Sequence, residues 1–456
     1  MTDPTYSIAD GPLVAWYADD FTGAAAVMEV LTFAGLPAML FLKPPTPTQL
    51  AKYPDLKGIG VASTARAQSP EWMDAELPEI FAKLAALKPA LLHYKVCSTL
   101  DSSPKLGSIG RAIEIGAAQA APAAVPVLIA APQMRRYQSF GHLFAGFGDT
   151  VFRLDLHPVM ARHPVTPMNE SDVAKHVALQ SDKIDARCLT LEDFSKEVQL
   201  PIAPAKPERI EVVTLDCIDA ATESVAGRLL WDGRKANPFV VGSQGVEYAL
   251  VRHWQDTDQI ATVDAPQGIG AADRMVVVSG SVSPTTADQI VWAKANGFEG
   301  ITFNATCVCQ APDALDQEIA RTVAACLEAI AQGRDPLVYT AKGPDDPAVK
   351  AFKTAAAQNL AKANQQTGEA LGRILHDTLM QSGVRRAVVS GGDTSGHATR
   401  QLGIYALTAL APTIPGAALF KAHAEGPMDG LQLALKGGQM GSHDYFGWIR
   451  NGGGPQ

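Results

Sequence analysis

A chain of 456 residues exceeds what one ordinary hydrophobic core accommodates, so two domains are expected. Its 47% hydrophobic and 19% charged residues, with 39 Gly, describe an α/β globular protein and exclude a disordered or fibrous one. A net charge of −9 argues against a nucleic-acid partner, which calls for a basic face, although an acidic protein still binds phosphates locally.

The six Cys, at 97, 188, 217, 307, 309 and 326, form no C-x-x-C pair and read as reduced thiols without a structural zinc. No basic and apolar leader precedes the first strand, and no apolar run approaches the roughly 18 residues of a membrane span. The expectation is a soluble cytoplasmic protein with no membrane association.

From the N-terminus, short apolar runs bounded by Gly, Pro or Asp alternate with Ala-rich helical stretches, the pattern of parallel α/β layers. Strands are predicted at 14–18, 38–42, 58–62, 91–97, 125–130, 151–154, 212–215 and 239–242, with helices in most gaps. The first runs directly into Asp19 and Asp20, followed by apolar residues at 27, 28, 31 and 34, which is helical spacing. The pair therefore lies where a strand ends and a helix begins, the edge at which parallel sheets bind ligands. Two readings stay open: the carboxylates cap the helix, or one accepts a proton from a substrate hydroxyl while the other orients substrate or cation.

Arg66 follows the third strand, and Arg135 and Arg136 follow the fifth, so guanidinium groups recur near one sheet edge, where a bidentate carboxylate contact is available. Lys95, in the midst of L-L-H-Y-K-V-C-S-T-L-D, is costly to bury unless it meets an anion. Ser98, Thr99, Asp101, Ser102 and Ser103 supply groups suited to a polyhydroxylated ligand, or else form an ordinary turn. The segment 162–169, with His163 and two Pro, suits a binding loop or a rigid connector; His157 and His163 are not spaced as metal ligands. Residues 117–124 read as a helix end, and Pro201–Pro207 as an extended surface connection.

Turn residues without apolar periodicity at 255–272 mark the domain crossing, giving domains 1–255 and 256–456, each a largely parallel sheet flanked by helices, with a cleft between them. The second domain has predicted strands at 275–278, 301–303, 337–340, 387–390 and 420–422. Two of its junctions, V-V-V-S-G-S-V-S-P-T-T at 276–286 and V-V-S-G-G-D-T-S-G at 388–396, run from strand through Gly and Ser into helix, leaving backbone N–H groups to face an anion. Candidate phosphate contacts are Ser279, Ser281 and Ser283 in the first, and Gly391, Gly392, Asp393, Thr394 and Ser395 in the second. Gly437 and Gly438 open a third small-residue loop. None ends in the Gly-Lys-Ser/Thr of a P-loop, and no repeat of fixed period is present.

With these motifs in order, A-D-D-F-T-G at 18–23, K-V-C-S-T-L-D-S-S at 95–103, H-P-V-T-P-M at 163–168, S-G-S-V-S-P-T-T at 279–286, S-G-G-D-T-S-G at 390–396 and G-G-Q-M-G at 437–441, the chain resembles the four-carbon acid sugar kinase family over essentially its whole length. That resemblance implies an ATP-dependent kinase, with Mg²⁺, phosphorylating a terminal hydroxyl of a small sugar acid bound by the N-terminal domain. It implies ATP contacts at Ser281, Gly391 to Thr394 and Gly438, and acid contacts at Asp19, Asp20, Arg66, Lys95 and Thr99, with Asp20 or Asp19 as base. Ser98, Asp101, Arg135 and His163 join the candidate acid site, and metal ligands are unassigned. Residues 154–168 look most like the branch acting on 3-oxo-isoapionate, giving its 4-phosphate, or on 3-oxo-tetronate, ahead of the threonate and erythronate branch.

Two rival classes remain. A non-catalytic sugar-acid binding protein predicts no ATP affinity, and a dehydrogenase requires a G-x-G-x-x-G that neither junction contains. Apolar helix faces pack either within a domain or across a two-fold axis, so a homodimer stays open.

Overall fold

The computed structural model describes residues 8, 11–206, 208–264 and 266–455. The chain divides into two compact units, Met1–Asp264 and Ala265–Gln456. The division falls beyond the expected 255/256 boundary because the helix Gly245–Asp256 packs on the first unit, against the helix Ala220–Gly233.

The first unit contains β1 Val14–Ala18, β2 Ala38–Phe41, β3 Gly58–Val61, β4 Leu91–Lys95, β5 Val125–Leu128, β6 Arg136–Ser139, β7 His142–Phe147, β8 Thr150–Arg153, β9 Ile184–Leu189, β10 Ile210–Leu215 and β11 Phe239–Gly242. Eight of these form a parallel sheet in the order β2-β3-β1-β4-β11-β5-β10-β9. Its inner strands are buried on both faces, which is why they read as continuous apolar runs instead of alternating ones.

The remaining three strands form an antiparallel meander, β6-β7-β8, of which the sequence predicts only the strand at 151–154. Residues 142–147 alternate half-buried and buried, the period-2 pattern of a sheet with one wet face, and left-handed Gly141 and Gly148 make the turns. The predicted strand at 151–154 thus exists, but as the meander's edge instead of a parallel layer.

The second unit contains β12 Val276–Ser279, β13 Phe298–Thr302, β14 Asp335–Tyr339, β15 Arg386–Ser390, β16 Ile404–Ala411, β17 Leu419–Ala424 and β18 Gln432–Lys436. Their order is β13-β14-β12-β15-β18-β17-β16, with β17 alone antiparallel to its neighbours β18 and β16. The α/β class with largely parallel sheets therefore holds in each unit. No helix among the described residues is long and apolar enough to cross a membrane.

One packing relation places the first functional loop. Trp16 on β1 stands in register with Gly60 on β3, and its indole Nε1 donates to Ala24 O at 3.2 Å, in the helix Phe21–Phe33. The ring lies over the space where a residue-60 Cβ would go, 2.0 Å from Trp16 Cε2. The glycine lets the ring lie flat, and the ring anchors the helix start that follows Asp19 and Asp20. Gly60→Ala is expected to overpack this contact and cost about 1–3 kcal/mol, read as a lowered midpoint in chemical denaturation.

Candidate functional site

Three loops at the carboxyl edge of the first sheet are stitched together by hydrogen bonds to main-chain carbonyls. Asp19 N donates to Lys95 O at 2.9 Å, Arg66 N donates to Asp19 O at 2.9 Å, and Ser63 Oγ donates to Ala18 O at 2.8 Å. The ends of β1, β3 and β4 thereby meet.

Their side chains form an ion cluster. Arg66 grips Asp19 by two hydrogen bonds, Nε to Oδ2 at 3.1 Å and Nη2 to Oδ1 at 2.7 Å, and Nη2 also donates to Asp20 Oδ1 at 2.8 Å. Asp20 is the N-cap of the helix Phe21–Phe33, its Oδ1 accepting from Gly23 N at 2.8 Å. Asp20 Oδ2 has no donor among the described residues, whereas both oxygens of Asp19 are engaged. Asp19 is buried, and burial pushes its carboxyl up while the Arg66 charge pulls it back.

Lys95, the last residue of β4, is also buried and donates from Nζ to Val96 O at 2.7 Å. A Cβ at residue 23 would fall 2.7 Å from that Nζ and 2.4 Å from Asp20 Oδ1, so Gly23 is what allows the ammonium and the carboxylate to approach. Beyond Lys95 the chain turns through Leu100, at φ 54°. That turn presents half-buried Ser98 and buried Thr99, whose Oγ1 lies 3.1 Å from Cys97 Sγ.

The other acid-site candidates are placed differently. Asp101 accepts from Thr166 Oγ1, Thr166 N donates to His163 Nδ1 at 3.1 Å, and His163 Nδ1 stands 3.8 Å from Asp101 Oδ1. This trio pins the 163–166 loop onto the β4 loop. Arg135, at φ 56°, turns back over Gly146 and donates to the carbonyls of Gly148 and Thr150, so it braces the meander.

In the second unit the three small-residue loops converge on one another. A Cβ at residue 280 would lie 2.3 Å from Thr394 Oγ1, and one at residue 438 would lie 2.5 Å from Ser281 Oγ. The predicted hydroxyls are largely spent on this convergence. Ser283 caps the helix Pro284–Ala295 and donates to Gly438 O, while Thr286 Oγ1 donates to Ser281 Oγ at 2.9 Å and to Gly438 O at 3.0 Å. Ser395 Oγ donates to Gly391 O at 2.8 Å.

What faces outward is backbone. Gly391, at φ 126°, precedes the helix Gly392–Gln401, whose first-turn N–H groups at 392–394 have no intrahelical acceptor. The side chain of Asp393 lies outside the described residues. Ser279 and Ser390 stand in register on β12 and β15, and both hydroxyls are buried without a partner among the described residues.

Sequence reasoning missed two features. Lys436 ends β18 just before Gly437, with Nζ 3.3 Å from Thr286 Oγ1 and 3.1 Å from Gly437 O. Burial without a carboxylate partner brings its pKa down to about 8. Like Lys95, Lys436 adjoins an apolar run and is costly to bury unless it meets an anion. The second feature is a cavity of about 690 Å³ whose wall includes Gly280, Thr394, Phe303, Asn304, Phe352 and Leu360. Apolar side walls beside an anion cradle accommodate a planar base next to phosphates. Among the described residues no three His, Cys, Asp or Glu side chains cluster as metal ligands, so these residues build no protein-only metal cage.

Known proteins carry the same arrangement. A family model described as a sugar-binding N-terminal domain matches residues 14–250, and one described as a nucleotide-binding C-terminal domain matches 276–446. The chain is 43% identical over 455 residues to a 3-oxo-isoapionate kinase of Paraburkholderia graminis, covering 97% of this chain and 95% of that protein. It is 27% identical over 440 residues to a 3-oxo-tetronate kinase of Pectobacterium atrosepticum, covering 94% and 96%. A solved structure from Salmonella typhimurium shares the fold with a TM-score of 0.75 at 22% identity, covering 96% of this chain and 98% of that one. Another from Haemophilus influenzae does so with a TM-score of 0.69 at 21% identity, covering 96% and 99%.

Removing Arg66 strands a buried carboxylate, so Arg66→Ala is expected to cost about 3–5 kcal/mol at neutral pH. Without the guanidinium the folded Asp19 pKa rises further above its unfolded value. Stability is then lost as pH rises between those two values, and the penalty shrinks as the medium is acidified until Asp19 takes a proton. Urea titrations of wild type and variant across pH 4 to 8 read the difference.

Proposed function

The chain belongs to the four-carbon acid sugar kinase family, and we propose that it transfers a phosphoryl group from ATP to a terminal hydroxyl of 3-oxo-isoapionate, giving the 4-phosphate. The observation that carries the choice of acid is the 43% identity to a 3-oxo-isoapionate kinase over nearly the full chain, against 27% to a 3-oxo-tetronate kinase.

Phosphoryl transfer asks a protein mainly for positioning and charge neutralisation. Asp20 is the base in this reading: its Oδ1 is fixed by Gly23 N and Arg66, and its Oδ2 is free to take the proton of the attacking hydroxyl. Asp19 and Arg66 hold that carboxylate in place, and Lys95, Ser98 and Thr99 supply donors to the acid's oxygens. A role for Asp101 and His163 is to shape the loop over this edge.

In the second unit the N–H groups at 392–394 and the loop from Gly437 to Gly438 receive the phosphates, Lys436 neutralises them, and the cavity beside Phe303 and Phe352 takes the base. The buried hydroxyls of Ser279 and Ser390 and the uncompensated Lys436 ammonium fit a polyphosphate ligand. Mg²⁺ accompanying ATP would neutralise charge on the phosphates.

A coupled ADP-release assay over 3-oxo-isoapionate, 3-oxo-tetronate, threonate and erythronate tests the reading. The highest kcat/KM is expected with 3-oxo-isoapionate. Fastest turnover with a tetronate would reassign the acid, and ligand binding without ADP release from any acid would leave a binding protein. Asp20→Asn is expected to lower kcat roughly 10²- to 10⁴-fold with little change in nucleotide affinity; near-normal turnover would remove Asp20 as base.

Lys436 makes nucleotide binding depend on pH. Phosphate favours the charged ammonium, so binding is uncoupled from protonation below about pH 8, where Lys436 is already charged, and takes up a proton above it. ADP affinity by calorimetry is expected to fall by up to about tenfold per pH unit above that point, and this dependence is expected to vanish in Lys436→Met.

A further inference from the structure

We propose that Arg136 binds the carboxylate of the acceptor acid and makes the site select acids over neutral sugars; the inference rests on the sugar-acid reading above. A charge balance at the carboxyl edge of the first sheet leads to it. Asp19 and Asp20 face Arg66 and Lys95, two carboxylates against two cations, and the Nε and Nη2 edge of Arg66 is taken by the aspartates. The cluster that orients the hydroxyl therefore has little net charge to offer a ligand anion.

Arg136 does. It opens β6, just past the carboxyl end of β5, where Ala131 and Arg136 exchange main-chain hydrogen bonds. Its Nη1 donates to Met134 O at 3.1 Å and Arg135 O at 3.2 Å, which fixes the guanidinium plane. The side-on edge, Nε and Nη2, is the edge Arg66 uses on Asp19. In Arg136 that edge has no acceptor among the described residues, and Nε is buried without one. A buried donor left unpaired is unfavourable, and a carboxylate would relieve it through two parallel bonds.

The surroundings leave this charge uncompensated. The groups that influence Arg136 electrostatically are Cys97 and the like-charged Arg135, and no carboxylate is among them. Arg136 in turn helps hold the buried His157 in its neutral form. Cys97, which follows Val96 at the end of β4, also influences Arg66 electrostatically. In the strand order β1-β4-β11-β5, three spacings of about 4.8 Å separate β1 from β5, roughly 14 Å of backbone. One arginine side chain and a short acid together span that distance, with the carboxylate at Arg136 and the far hydroxyl at Asp20.

The test compares Arg136→Met and Arg136→Lys with Arg153→Met, a charge removal elsewhere on the meander, using 3-oxo-isoapionate and its primary carboxamide. Arg136→Met is expected to raise KM for the acid roughly ten- to hundredfold, the worth of a charge-assisted contact, with KM for ATP unchanged. It should also abolish the preference for acid over carboxamide, and Arg136→Lys should restore part of it. Arg153→Met should do neither. Acid binding is followed by calorimetry alongside turnover, and thermal melting checks that each variant is folded. An unchanged acid KM or Kd in folded Arg136→Met, or a retained preference for the acid, would overturn the assignment. If wild-type protein binds the acid without phosphorylating it, the kinase reading fails, and the same binding curves still decide the role of Arg136.

Discussion

A parallel sheet gathers the carboxyl ends of its strands on one edge, and any charge buried there has to be compensated by protein or by ligand. Both units place a lysine at that point, as the last residue of β4 and of β18, and both lysines are almost completely buried. They are compensated in opposite ways. Around Lys95 the protein supplies the counter-charge, since Asp20 and Asp19 lie across the small gap that Gly23 keeps open. Around Lys436 the neighbours are a hydroxyl, a carbonyl and the face of Tyr445, and burial alone brings the ammonium down to about 8. The first ammonium is neutralised from within the protein. The second has no carboxylate partner.

The Asp pair shows why sequence could place the functional edge but not divide its labour. Strand 14–18, the helical spacing after it and the adjacent aspartates were all legible, and capping and catalysis stood as alternatives. They are not alternatives at the level of atoms. Oδ1 of Asp20 caps the helix and meets Arg66, which leaves Oδ2 of the same carboxylate open. Asp19, one residue earlier, ends with both oxygens on Arg66. Such a division depends on a side chain 46 or 47 residues away and on its torsions, which periodicity does not encode.

The misses have the same origin. Arg135 and Arg136 are indistinguishable as a sequence pair, but a left-handed backbone at Arg135 sends the first guanidinium to the carbonyls of Gly148 and Thr150, while the second turns Nη1 to those of Met134, Arg135 and Gly146. The first two strands of the meander are not legible in the sequence because their alternation, half-buried and buried from 142 to 146, is short and bounded by left-handed glycines. The strands 404–411 and 432–436 were passed over although both are rich in Ala and Leu, residues equally at home in a helix. The large cavity of the second unit draws its wall from β12 to β14 and from helices as far on as Leu360 and Thr367, so no local pattern announces it.

The hydroxyls of the second unit carry a wider point about how such a site is held ready. Ser and Thr in a glycine-rich loop invite the reading that each hydroxyl meets a phosphate. Here Ser281, Ser283 and Thr286 bond to one another and to Gly438 O, and Ser395 bonds back to Gly391 O. Their bonds lock three loops into one surface, and the donors left facing outward are backbone N–H groups at a helix start, which have no rotamers to lose. A cradle whose donors are already oriented spends little free energy on reorganisation when charge develops on the ligand, which is where most electrostatic catalysis comes from. The side chains hold the loops, and the loops present the backbone donors.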